Sequence, residues 1–107
     1  MSLWDHGPDV EVLFTFNHQR KLPVRSHYRP DHLILDNDLT CGAHRYYDDD
    51  NFLVYPGEQA LGTVTFINPQ AYPNSLWVGR VITFQEGAHI TGTITITKIL
   101  NPLLQRI

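Results

Sequence analysis

The chain has a single cysteine, Cys41, in 107 residues. One thiol excludes an internal disulfide, so no covalent staple supports the fold, and a reducing, cytoplasmic setting is expected. Set in Leu39-Thr40-Cys41-Gly42, the thiol reads as a small semi-buried residue rather than a nucleophile. No apolar run approaches the ~20 residues that a membrane-spanning helix needs, so no membrane partner is expected. The N-terminal residues lack the basic-then-apolar layout of a signal peptide. Helical spacing is also missing, because no long segment repeats its apolar positions every three or four residues.

Catalytic signatures are absent as well. There is no G-x-x-x-x-G-K-[ST] loop to cradle phosphates, and no G-x-S-x-G, H-E-x-x-H or C-x-x-C. The six histidines include one close pair, His27 and His32, but Pro30 stands between them, and no metal is expected. Asp48-Asp49-Asp50-Asn51 lacks the alternation and closing Glu of a calcium loop and reads as solvated. The chain is therefore expected to be no enzyme and to carry no cofactor.

What is present is charge in blocks and a strong period of two. Eleven acidic residues outnumber eight basic ones, for a net charge of -3. A protein held mainly by nucleic-acid phosphates is usually basic, so the overall balance argues against a general nucleic-acid binder. Yet Arg20, Lys21, Arg25 and Arg29, half of the basic residues, fall close together. Asp36, Asp38 and Asp48 to Asp50 follow as an acidic block.

Alternation predicts strands at Val10 to Phe16, His32 to Leu39, Gln59 to Ile67, Trp77 to Phe84 and Ile90 to Leu100, with a short one at His44 to Tyr47. Leu33, Leu35 and Leu39 share one face of the second. Val64 and Phe66 are read as inward. In the last strand Thr91, Thr93, Thr95 and Thr97 share one face, and Ile90, Ile94 and Ile96 the other. Asn17 to Pro30 is read as a long loop with a short extended piece, Tyr55-Pro56-Gly57-Glu58 and Glu86-Gly87 as turns. Residues 1–8 are a leader, 9–100 the domain and 101–107 a tail. Many strands on so short a chain predict an all-β, small closed antiparallel barrel, since closure hides the strand edges. Tyr46, Tyr47, Tyr55, Tyr72 and Trp77 are candidates for an aromatic binding face, or for plugs of the barrel ends.

Five motifs in order carry a resemblance: Tyr28-Arg29-Pro30, Asp38-Leu39-Thr40, Tyr55-Pro56-Gly57-Glu58, Asn68-Pro69, and Gly79-Arg80 through Phe84-Gln85-Glu86-Gly87 to Ile90-Thr91-Gly92. The chain resembles the C-terminal β-barrel, the third domain, of elongation factor Tu and related translational GTPases. The resemblance implies a six-stranded antiparallel barrel. In that family the barrel touches the T-stem backbone of aminoacyl-tRNA, packs on the GTPase domain and meets the exchange factor. Carried across by position, the RNA- or partner-binding residues are Arg20 and Lys21 (family Arg-His), Asp31 (Gln), Thr40 (Thr), Asn68 (often Lys or His) and Gly87 (Gly). Asp31 places a carboxylate where phosphate would lie, and Asn68 loses a basic group. The GTPase domain and middle barrel have no counterpart here, so a lone barrel would bind tRNA weakly. The expectation is a free-standing, non-catalytic module with a translation-related protein partner, mimicking the elongation-factor barrel. The alternatives are a weak tRNA- or RNA-binding accessory and a detached fragment of a larger GTPase.

Overall fold

Val10, Val12, Phe14 and Phe16 all point inward in the computed structural model, which describes residues 6–35, 37–47 and 51–107. They form β1 (Val10–Phe16), whose burial alternates along its whole length. The other strands are β2 (Asp31–Leu35), β3 (Asp38–Tyr46), β4 (Gln59–Phe66), β5 (Val81–Glu86) and β6 (His89–Ile99). They close into an antiparallel barrel in the order β1-β4-β3-β2-β5-β6. The expected all-β closed six-stranded barrel is thus the observed architecture.

Two glycines let the wall close over aromatic rings. A Cβ at Gly62 would lie 1.9 Å from the Arg45 carbonyl oxygen and 2.9 Å from the Phe14 ring. One at Gly92 would lie 2.5 Å from the Phe84 ring. Phe14, Phe16, Phe66 and Phe84 then fill the interior with Ile34, Tyr46, Ile82, Ile94 and Ile96, all buried.

Three expectations change. The single strand His32 to Leu39 is instead a hairpin of β2 and β3, with Asn37 in its turn at φ 70. Asn tolerates that left-handed geometry. A register shift in β2 between Leu33 and Leu35 restores odd-to-odd pairing beyond the turn, so the leucine parity continued across it. Leu33 and Leu39 face each other on the outer wall, while His32 and Ile34 point inward. The strand expected over Trp77 to Phe84 begins only at Val81, because Trp77 to Arg80 turns, with Gly79 at φ 95 and the Arg80 amide bonded to the Trp77 carbonyl. Its hairpin turn lies at Gly87-Ala88, one residue late. Finally, a bulge opposite Phe84 and Gln85 inserts Thr91 into β6. The extra residue reverses the parity locally. Thr91 turns inward and is buried, and Ile90 is exposed.

Both termini of the described barrel are tied down. The Asp9 carboxylate, fully buried, accepts from the Phe66 amide (2.7 Å) and from Asn101 Nδ2 (2.9 Å). Residues after β6 form a short 3-10 turn, Pro102–Leu104, which buries Leu104 and exchanges backbone bonds with Leu76. Arg106 and Arg80 both lie over Trp77, at 4.2 and 5.0 Å. Asp36 and the acidic run at 48–50 lie outside the described residues.

Candidate functional site

The long β1–β2 loop, the β3–β4 loop and the Gly87-Ala88 turn gather at one end of the barrel. This follows from strand direction: β1, β3 and β5 finish there and β2, β4 and β6 begin there. Arg20, Lys21 and Gly87, far apart in sequence, therefore come to one end, and Asp31 opens β2 there. Asn68 is exposed at the opposite end, after β4. Thr40 is buried in the wall, 5% exposed. The six positions implied by the resemblance do not make one surface.

Arg20 is engaged within the chain. Its Nη1 donates to Glu86 Oε2 (2.6 Å), its Nε to the Leu22 carbonyl (3.2 Å), and its guanidinium lies over the Tyr28 ring at 5.3 Å. The Tyr28 hydroxyl donates to the same carboxylate oxygen (2.5 Å). That uses its one proton, so the Thr91 hydroxyl donates to Tyr28 Oη (2.9 Å). The bulge at Thr91 is what supplies this last partner. Burial alone would raise the Glu86 carboxyl, but the Tyr28 hydroxyl and Arg20 outweigh it and hold it below its usual range. The bond to Glu86 raises Arg20. Burial, then the bond to Glu86, raises the Tyr28 phenol. Lys21 stays exposed and lines a cleft of about 300 Å³ with Gln19, Arg20, Leu22, Glu86, His89 and Thr91.

Tyr28→Phe tests this network. It keeps the ring and removes the hydroxyl that joins Glu86 to Thr91, so chemical denaturation should show a loss of about 1–2 kcal/mol. An unchanged midpoint would mean that the hydroxyl is equally well served by water.

A second surface lies on the β1–β4–β3 wall. Tyr46, Tyr47, Phe52, Gln59, Ala60 and Leu61 line a cleft of about 280 Å³. Tyr47 is 52% exposed and Leu61 58%. Tyr47 donates to Glu11 Oε1 and also borders a neighbouring cleft with Glu11, Arg45, Thr63, Lys98 and Leu100. Of the five aromatic candidates, Tyr47 and Tyr55 are exposed; Tyr46 is core, and Tyr72 and Trp77 are half-buried near the C-terminal turn. Leu61 was missed in the sequence, although its parity, opposite to Val64 and Phe66, marks an apolar residue turned outward.

The described residues hold no group of three or more His, Cys, Asp or Glu side chains placed to bind a metal. His27 is exposed while His32 is fully buried. The histidines that do meet are His32 and His44, inside the barrel. Among the described residues no helix is long and apolar enough to cross a membrane. No protein-family model matches the chain, and no curated protein matches it.

Proposed function

We propose that the chain is a non-catalytic protein-binding barrel, of the type that closes elongation factor Tu, and that it engages its partner through the Tyr47–Leu61 wall. The observation that carries this reading is the contrast between the two surfaces. At the basic end, Arg20 is already held by Glu86 and Tyr28, so a phosphate would have to displace an internal carboxylate. On the wall, Tyr47, Phe52 and Leu61 leave apolar area in water around a cleft, the composition that protein interfaces cover. As a mimic of the elongation-factor barrel, the module would compete for proteins that meet that barrel, such as the exchange factor or the factor's own other domains.

Leu61→Asp tests the proposal. Leu61 is exposed, so stability should shift by no more than about 0.5 kcal/mol. Retention of the partner in affinity capture from the native cell should be lost, while Lys21→Glu leaves it intact. Retention that survives Leu61→Asp and fails in Lys21→Glu would move the interface to the basic end.

A further inference from the structure

His32 and His44 stand side by side in the barrel interior, 0% and 1% exposed, with their Nε2 atoms 2.8 Å apart. Only one proton fits between two ring nitrogens at that distance. The outer partners fix which ring carries it. His32 Nδ1 faces the Thr40 carbonyl (3.3 Å), which can only accept, so that nitrogen carries the His32 proton. His32 Nε2 is then an acceptor, and His44 Nε2–H donates to it. His44 Nδ1 is left to accept from the Tyr46 hydroxyl (3.2 Å). The result is a single ordered chain, Tyr46 to His44 to His32 to Thr40, with both rings neutral and every position filled.

The Thr40 and Pro30 carbonyls both favour a protonated His32, but burial outweighs them, and no charged group stands beside the rings to hold a further proton. β1 presents Phe14, β4 presents Phe66 and Val64, and β5 presents Phe84. The inward residues of β6 are Thr91, Gly92, Ile94 and Ile96, none ionisable. The ionisable groups facing the pair are Tyr46 on β3 and Tyr28 from the β1–β2 loop, 5.4 Å from the His44 ring. Glu86 and Arg20 stand behind the Tyr28 hydroxyl, already paired with each other. The buried Asp9 carboxylate is bound to the Phe66 amide and Asn101 at the other end.

The pair also sits where the barrel is joined most narrowly. The β2–β5 ladder consists of Asp31 opposite Gln85 and His32 opposite Phe84, supplemented by an Arg80 guanidinium bond to the Ile34 carbonyl. His32 thus belongs to the short seam that closes the cylinder, and its ring links that seam to β3. We propose that the His32–His44 pair is an acid-operated latch on the β2–β5 seam. With both rings neutral it holds the seam shut. An added proton has no acceptor in the chain, breaks the Nε2–Nε2 bond and frees β2 from β5, letting water reach the charged ring.

The direction in pH follows from burial. Burial lowers His32 to about 4 and, with His32 beside it, His44 well below the usual imidazole range. The opened seam exposes rings of ordinary affinity, so the open form binds more protons at mildly acidic pH. Opening is therefore independent of pH above ~6.5 and increasingly favoured as pH falls from there toward His32's folded value of about 4.

Hydrogen-exchange protection factors, read by NMR between pH 7 and pH 4.5, test the latch. Protection of the Asp31 and Gln85 amides, which face each other across the seam, should fall by about tenfold per pH unit below pH 6 if one proton is taken up on opening. Protection in the β1–β4 ladder should fall less. In His32→Phe/His44→Leu the selective fall should vanish. Should that variant not fold, His44→Gln serves, since an amide donates to His32 Nε2 and accepts from Tyr46, and the fall should shrink. In the unmodified chain, imidazole NMR signals should stay neutral until the seam begins to open. Rings that titrate near their ordinary value while seam protection stays constant would overturn the latch, as would a seam that opens identically without them.

Discussion

Ile94→Asp unfolds the barrel. Ile94 lies on β6, opposite Phe14 of β1 and Ile82 of β5, and is fully buried. The substitution forfeits the burial of an apolar side chain, about 1.5–3 kcal/mol. It also places a carboxylate among aromatic and aliphatic groups, without a partner to offset desolvation costing several kcal/mol more. A domain of this size is stabilised by only ~5–15 kcal/mol in total. Circular dichroism and NMR should therefore show loss of the cooperative fold at neutral pH. Thr97→Asp, on the exposed face of the same strand, should stay within about 0.5 kcal/mol of the parent. A folded, soluble Ile94→Asp protein would mean that the inward face of β6 is wrongly assigned.

Gly62→Ala should be the most damaging single-methyl change. The new Cβ would sit 1.9 Å from the Arg45 carbonyl oxygen, which is backbone of the adjoining strand and cannot rotate away. The β3–β4 ladder must part, or Phe14 must leave its place over the glycine. Overpacking usually costs ~1–3 kcal/mol, and a backbone clash places this case at or above the top of that range. Gly87→Ala provides the comparison. No atom lies within 4 Å of its added Cβ, so only the positive φ of 57 resists it, at about 1–2 kcal/mol. Denaturation midpoints of the two variants should rank in that order. A Gly62→Ala protein as stable as Gly87→Ala would show that the strands can separate there cheaply.

How far the fold was legible in sequence depended on whether a residue's surroundings were local. β1 emerged at its observed bounds because Val10, Val12, Phe14 and Phe16 alternate without interruption. The Pro56-Gly57 turn was equally plain, since Gly57 takes φ 85, as its type demands. The β2–β3 hairpin was hidden because a register shift between Leu33 and Leu35 keeps the parity continuous across the turn, and because Asn37, unlike glycine, does not announce a left-handed residue. Thr91 was hidden because a bulge is a property of two strands, not one. Period-two reasoning put it with the outward threonines, whereas the ladder turns it toward Tyr28. The site was less legible still. Arg20 and Glu86 are sixty-six residues apart, and nothing in either neighbourhood names the other. His32 and His44 meet only after the unseen hairpin folds β2 onto β3. The basic cluster in the sequence does lie at one end of the barrel, but nothing local shows that its Arg20 is already paired.

The pairing of Arg20 with Glu86 bears on the RNA alternative, because it removes the most constrained cation from the basic segment. Lys21 remains in the cleft beside His89. The measurement that bears most directly on a protein-binding rather than RNA-binding barrel is a titration of the intact chain with bulk tRNA across a salt series, beside Lys21→Glu. Affinity should be no greater than for an unrelated RNA, with a shallow salt dependence and little change in the variant. Tight tRNA binding that weakens steeply with salt and is lost in Lys21→Glu would contradict it.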